Sequence, residues 1–187
     1  VLLERALQYA PNHPAALDRL AMFFSLEGEA GETARGRLKQ VLAEGKASAT
    51  VHLILATQAL HSGDLKSAEL HFDQGYRLNS NLPVLLNNFA WLLANQQPPQ
   101  LDRALGLVNQ ALQIAPNQPH IRETRGQIYA KQGRWRDALA DLEFALPHMS
   151  DNGELHRALF VVYHELGDEE LASEHRRRWK EGKTSGK

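Results

Sequence analysis

Alanine recurs at Ala34, Ala68, Ala104, Ala138 and Ala172, with successive gaps of 34, 36, 34 and 34 residues. A second series, Ala21, Ala56, Ala90, Gly126 and Phe160, steps by 35, 34, 36 and 34. Turn glycines form a third series, Gly28, Gly63, Gly133 and Gly167, with Gln97-Pro98-Pro99 where a member is missing. Three series on one period imply one supersecondary unit repeated along the chain. A unit this short cannot bury its own apolar face, so neighbouring units must stack. The extra residues of the third unit fall in its proline-containing turn, where insertions are best tolerated.

Each unit reads as two helices. The first carries apolar residues at helical spacing, as in Val51, Leu55, Ala59 or Leu85, Phe89, Leu92. It stops at a glycine, as in His61-Ser62-Gly63-Asp64, where Gly supplies a left-handed C-cap and Asp caps the next helix. The second helix follows, as in Leu65, Ala68, Leu70, Phe72. Composition agrees: the 187 residues hold 30 Leu and 24 Ala but only 16 Val, Ile and Thr together, so helix formers dominate over strand formers. Ala and Gly fit where helix axes approach most closely, and Leu38, Phe72, Val108 and Leu142 are expected to fill the space between layers. The expected organisation is a half repeat over 1–13, repeats at 14–48, 49–82, 83–118, 119–152 and 153–181, and a flexible tail over 182–187. The severed first helix and the start on Val1 read as a fragment of a longer protein.

The fourth unit combines Gly126-x2-Tyr129 with Ala138-x3-Leu142. The second has Leu55-Ala56-x2-Ala59 and Ala68-x3-Phe72, and the third Leu86-x2-Phe89-Ala90-x2-Leu93 followed by Ala104, Ala111 and Pro116. This arrangement resembles the tetratricopeptide repeat, and more its bacterial members than eukaryotic co-chaperones, given the Pro-Asn junctions and Asn87-Asn88-Phe89-Ala90-Trp91. The resemblance implies an all-α right-handed superhelix, a solenoid of about five helix-turn-helix repeats plus the half repeat. Three positions depart from the pattern: Phe160 replaces a small residue, Gly75 replaces the usual Ala, and Trp179 stands at the place of Gly75 in the last unit. Arg176, Arg177, Arg178 and Lys180 are expected to form a solvated cap on the last helix.

Charge and chemistry exclude several function classes. With 21 Lys+Arg against 22 Asp+Glu the net charge is −1, which lacks the basic excess of a nucleic-acid partner. No apolar run reaches the length of a membrane span. There is no cysteine, and no serine sits in a Gly-x-Ser-x-Gly elbow. Gly182-Lys183-Thr184 lacks the first glycine of a phosphate-binding loop and follows a helix rather than a strand. His164-Glu165 begins a zinc-helix motif, but Asp168 occupies the second ligand place. His52, His61 and His71 read as scattered over three helical faces. No cofactor, metal or catalytic residue is expected, and cytoplasm and periplasm are equally open.

The resemblance implies that first helices line a concave groove that holds a peptide or a partner helix. Its register places Leu53, Ile54, Thr57 and Leu60 there from the second unit. Asn87, Asn88, Trp91 and Asn95 follow from the third, and Thr124, Gln127 and Lys131 from the fourth. His120, Glu123, Glu154, Arg157, Val161, His164 and Glu165 share the same face, as do His61 of the second unit and Asp18, Arg19, Met22 and Ser25 of the first. Leu53, Ile54, Leu60 and Trp91 form an apolar stretch of the kind that marks a contact surface. Asn88 matches the middle Asn of the family's carboxylate clamp, but the remaining clamp positions carry Leu53, Thr57, His120 and Thr124. Arg122 and Arg125 fall where the signature places Trp and Leu. Each must find a carboxylate or reach solvent; the alternative is an anion contact beside Asn88. The expected function is a non-catalytic interaction scaffold, with a structural or targeting arm of a larger enzyme or secretion machine as the alternative. Self-association through Val1, Leu2 and Ala6, a layer bared by truncation, is a third expectation.

Overall fold

The computed structural model describes residues 28–184, together with Ala16, Arg19, Leu20 and Phe23. Among the described residues there is no strand. The helices are α1 (Glu29–Ala43), α2 (Ala49–His61), α3 (Leu65–Leu78), α4 (Pro83–Asn95) and α5 (Leu101–Ile114). They continue with α6 (Pro119–Lys131), α7 (Trp135–Ala145), a 3-10 turn at Leu146–His148, α8 (Gly153–Leu166) and α9 (Glu169–Thr184). The chain divides into two compact units, Val1–Leu85 and Leu86–Lys187. No helix among the described residues is long and apolar enough to cross a membrane. Val1, Leu2 and Ala6, like the half repeat over 1–13, lie outside the described residues.

Turn chemistry sets the helix ends. Gly63, Gly133 and Gly167 take φ of 77°, 72° and 84°, a left-handed conformation that costs glycine little. Each is followed by the same closing bond, from Asp64 N to Ala59 O, Arg134 N to Tyr129 O and Asp168 N to Tyr163 O, all 2.9 Å. Asp64 then caps α3 by accepting from Ser67 N at 3.1 Å, and Asp168 caps the start of α9 by accepting from Leu171 N at 3.1 Å. Asn152 caps α8 by accepting from Glu154 N and Leu155 N. Glu169 and Glu170 complement the positive end of α9.

In the first unit, Ala34, Leu38 and Val41 of α1 pack with Ala16, Leu20, Ala47, Val51 and Leu55. In the second, Ala138, Leu142 and Ala145 of α7 join Leu155, Leu159, Val162 and Ala172 in one core. Leu38, Phe72, Val108 and Leu142 are fully buried, as their spacing predicts. Neighbouring helices pack in sequence, α2 on α3, α5 on α6, α6 on α7, α7 on α8 and α8 on α9.

The departures from the repeat pattern have local causes. A Cβ at Gly75 would come within 2.5 Å of Leu85 Cδ1 and 3.3 Å of His52 Cβ, so any larger residue would have to displace the buried Leu85 side chain. Phe160 and Trp179 account for each other: their rings stack at 6.4 Å and 18°, and the Arg176 guanidinium lies 5.7 Å from the Phe160 centroid. Small residues hold the equivalent register positions, Ala56 with Gly75 and Gly126 with Ala145. The last helix extends beyond the expected boundary at 181, through Gly182 to Thr184. A Cβ on Gly182 would lie 3.9 Å from Gly153 Cα, so the helix passes close to the start of α8 there. Arg176, Arg177, Arg178 and Lys180 are exposed, as expected of a solvated face.

Candidate functional site

In the second unit the first-helix faces of α4, α6 and α8 meet in one cleft of about 330 Å³. Trp91 and Asn95 come from α4, Thr124 and Gln127 from α6, all four named by the repeat register. Glu123, Glu154 and Arg157 complete the wall together with Asn152. Sequence reasoning missed Asn152 because a residue at a helix start reads as a cap, and here one side chain caps α8 and borders the cleft. Trp91 is 43% exposed, so its indole is available to a ligand rather than sunk in the core.

The polar groups of this cleft are unequally satisfied. Arg157 Nε donates to Glu154 Oε2 at 2.7 Å, one turn apart on α8. Glu123 Oε1 accepts from Gln127 Nε2 at 2.9 Å. Burial pushes the Glu123 carboxyl above the usual carboxylate range; the Gln127 hydrogen bond opposes this and the neighbouring Glu154 charge adds to it. Thr124 is buried and its hydroxyl donates to His120 O at 3.0 Å, so that donor is spent within α6. Lys131 does not line the cleft. Its ammonium donates to Ala94 O at 2.7 Å and Asn95 Oδ1 at 2.8 Å, satisfying a carbonyl in the last turn of α4. Burial, then the nearby Arg157 charge, lowers the Lys131 pKa.

Other expected residues are placed differently. Asn87 and Asn88 are half-buried and stand outside the cleft, and Asn87 Oδ1 is buried without a hydrogen bond. In the compact unit Val1–Leu85, Ile54 packs against the α1 core instead of standing free, because it lies three residues after the buried Val51 on the same side of α2. Thr57 donates to Leu53 O at 2.9 Å, and Leu53 and Leu60 are half-buried. The cleft of this unit, about 820 Å³, is bordered instead by Arg35, Leu55, Gln58 and His71.

Arg122 and Arg125 converge on Asp141 of α7, whose side chain is 3% exposed. Arg125 binds it through Nε at 2.6 Å and Nη2 at 2.9 Å and reaches Asn109 Oδ1 at 3.1 Å with Nη1. Arg122 contributes Nη1 at 3.1 Å and lies 4.3 Å over the Phe144 ring. The bond to Asp141, followed by its charge, raises the Arg125 pKa against the opposing effect of burial. The carboxylate both arginines required is therefore internal, and neither borders the Trp91 cleft.

The histidine expectation needs correcting. His52 and His71 lie on facing helices with Nδ1 atoms 3.1 Å apart, not on separate faces. His156 and His175 do the same at 2.8 Å. Each pair is 19 residues apart, and so are Arg122 and Asp141. The repeat register makes these one position filled three times, with Leu86 and Leu107 occupying it in the third unit. A 19-residue step crosses the helix hairpin, so searching for ligands one turn apart on a single helix misses it.

Comparison with known proteins accords with this architecture. A tetratricopeptide repeat family model matches residues 92–159. DnaJ homolog subfamily C member 3 of Gallus gallus is 29% identical over 84 residues, 45% of this chain and 17% of that protein. The Mus musculus protein is 32% identical over 69 residues, 37% of this chain and 14% of its own length. The chain thus matches only a small part of these relatives. Among solved structures, YrrB, a TPR protein with an unusual peptide-binding site, is 16% identical. It superposes with TM-score 0.73 over 98% of this chain and 93% of its own. PilW, a type IV pilus biogenesis factor, gives TM-score 0.72 at 18% identity, over 90% of this chain and 77% of its own. Residues 92–159 thus match a tetratricopeptide repeat family, and the repeat period and paired helices carry the same fold through the described residues.

Proposed function

We propose that the chain is a non-catalytic scaffold that binds a protein segment, an extended peptide or a partner helix, on the faces of its first helices. The observation that carries this reading is the Trp91 cleft: an exposed indole set among amides and carboxylates from three successive first helices. An aromatic side chain that becomes buried on contact is the usual anchor of such an interface. Asn88, on the same helix as Trp91, is assigned to hydrogen bonding with the bound backbone; in the compact unit Val1–Leu85, taken by itself, Leu53 and Leu60 of α2 are assigned to apolar contact with a partner. With a net charge of −1, nucleic acid is not the expected partner.

A random peptide library selected on the purified protein tests the assignment. Trp91→Ala is expected to abolish binding of the selected peptides and leave helicity unchanged. Equal binding by the variant removes the cleft from the function. A second reading, an arm of a larger assembly, is favoured by the small share of the curated relatives that this chain matches. Under that reading the protein selects no peptide through Trp91.

A further inference from the structure

The charges around the Trp91 cleft do not cancel locally. Glu154 is held by Arg157 at 2.7 Å. Among the described residues Glu123 has no cationic partner, and its hydrogen bond comes from the neutral Gln127 amide, through Oε1. Lys131, one turn beyond Gln127, is committed to Ala94 O and Asn95 Oδ1. One half-buried carboxylate therefore faces the cleft beside the open Trp91 ring, and no described residue bonds its Oε2.

A carboxylate in a low-dielectric recess attracts a cation more strongly than one in open water. An indole face adds attraction for the same group through its ring quadrupole. The two features select for one ligand chemistry. A carboxylate-bearing segment would meet Glu123 head-on, and an aliphatic one would leave its charge uncompensated. At about 330 Å³ the cleft suits one long side chain rather than a folded element.

We infer that the Glu123–Trp91 cleft receives a lysine or arginine side chain of the bound protein segment, its cationic head on Glu123 Oε2 and its stem along the Trp91 ring. This rests on the first-helix faces being the binding surface. The bound segment is then basic at one position, and this position fixes its register along α4, α6 and α8.

The test uses peptides selected from a random library on the intact protein, with affinities measured by calorimetry. One Lys or Arg is expected at a common position in the selected peptides. Replacing it with norleucine should weaken binding about tenfold, and Glu123→Gln should weaken the original peptide by a similar factor. On Glu123→Gln the norleucine replacement should then cost little more, because the two changes remove the same contact. Circular dichroism of Glu123→Gln should match that of the parent. If Trp91→Ala abolishes binding but the peptides share no basic residue, or Glu123→Gln binds unchanged, the cation assignment is wrong and the binding face stands. If Trp91→Ala binds as the parent does, the binding face fails and this inference with it.

Discussion

His156 Nδ1 and His175 Nδ1 stand 2.8 Å apart, and the second nitrogen of His156, Nε2, lies 2.7 Å from Ser150 O. A carbonyl can only accept, so His156 Nε2 carries the hydrogen, and in the neutral ring Nδ1 is left as an acceptor. His175 must then donate from its own Nδ1. Its ring lies parallel to Tyr163, 5.5 Å away and 6° from coplanar, and the Tyr163 hydroxyl donates to Glu143 at 2.6 Å. A proton on His156 Nδ1 would set two N–H groups face to face and remove the acceptor, whereas one on His175 Nε2 leaves the Nδ1 donor in place.

Acid should therefore weaken the fold before carboxylates titrate. Burial, then the neighbouring His71, lowers the His52 pKa to about 4, and burial lowers those of His71 and His175. In the unfolded chain these rings titrate near 6.5. As pH falls through that value the unfolded state takes up protons first, so stability is full above about 6.5 and declines toward about 4. The thermal midpoint should fall between about pH 7.5 and pH 5, a window that leaves most carboxylates charged, with a loss on the order of 2 kcal/mol. Converting His156 and His175 together to leucine, the residue at both equivalent places of the third unit, should flatten part of that dependence. An unchanged slope would count against the pair.

Asp141→Asn should be among the most damaging single substitutions. It removes the buried charge that holds Arg122 and Arg125 and leaves two guanidiniums facing a neutral amide. Breaking such a pair costs about 3–5 kcal/mol, which urea denaturation would read as a lower midpoint.

Two glycines in helices should respond with opposite sign to alanine. At Gly126 a Cβ would stand 2.8 Å from Leu142 Cγ and 3.1 Å from Ala138 O, so Gly126→Ala should destabilise by about 1–3 kcal/mol. At Gly106 nothing lies within 4 Å, and Gly106→Ala should stabilise by about 0.5–1 kcal/mol. Denaturation midpoints of the two variants check both signs.

Phe160 and Trp179 should be energetically coupled. A double-mutant cycle with Phe160→Leu and Trp179→Leu is expected to return about 0.5–1.5 kcal/mol of interaction. A coupling indistinguishable from zero would mean the rings merely fill space.

Much of this architecture was readable from the repeat. Period and glycine positions locate α2, α3, α6 and α7 closely, because a left-handed turn admits few residues other than glycine. Trp91, Asn95, Thr124 and Gln127 were legible as cleft residues for the same reason: a helical register specifies a face. It does not specify which polar groups are already used. Lys131 looked like a groove cation until a carbonyl of the last turn of α4 claimed it, and Thr124 lines the cleft with its hydroxyl already spent on His120 O. The histidine pairs were hidden because their partners sit across a hairpin, and only the folded chain aligns the two helices.

Filling one interhelical position with His–His, Leu–Leu or Arg–Asp makes the repeats unequal in kind as well as in strength. Acid loosens the units built on His52–His71 and His156–His175. Loss of the buried charge acts on the one built on Arg122–Asp141, and neither touches the leucines of the third. In a chain whose stability is a sum of local terms, the surrounding medium then decides where unravelling begins. Mild acid would start it in two repeats that are not neighbours in the sequence, with the third and fourth repeats between them still folded.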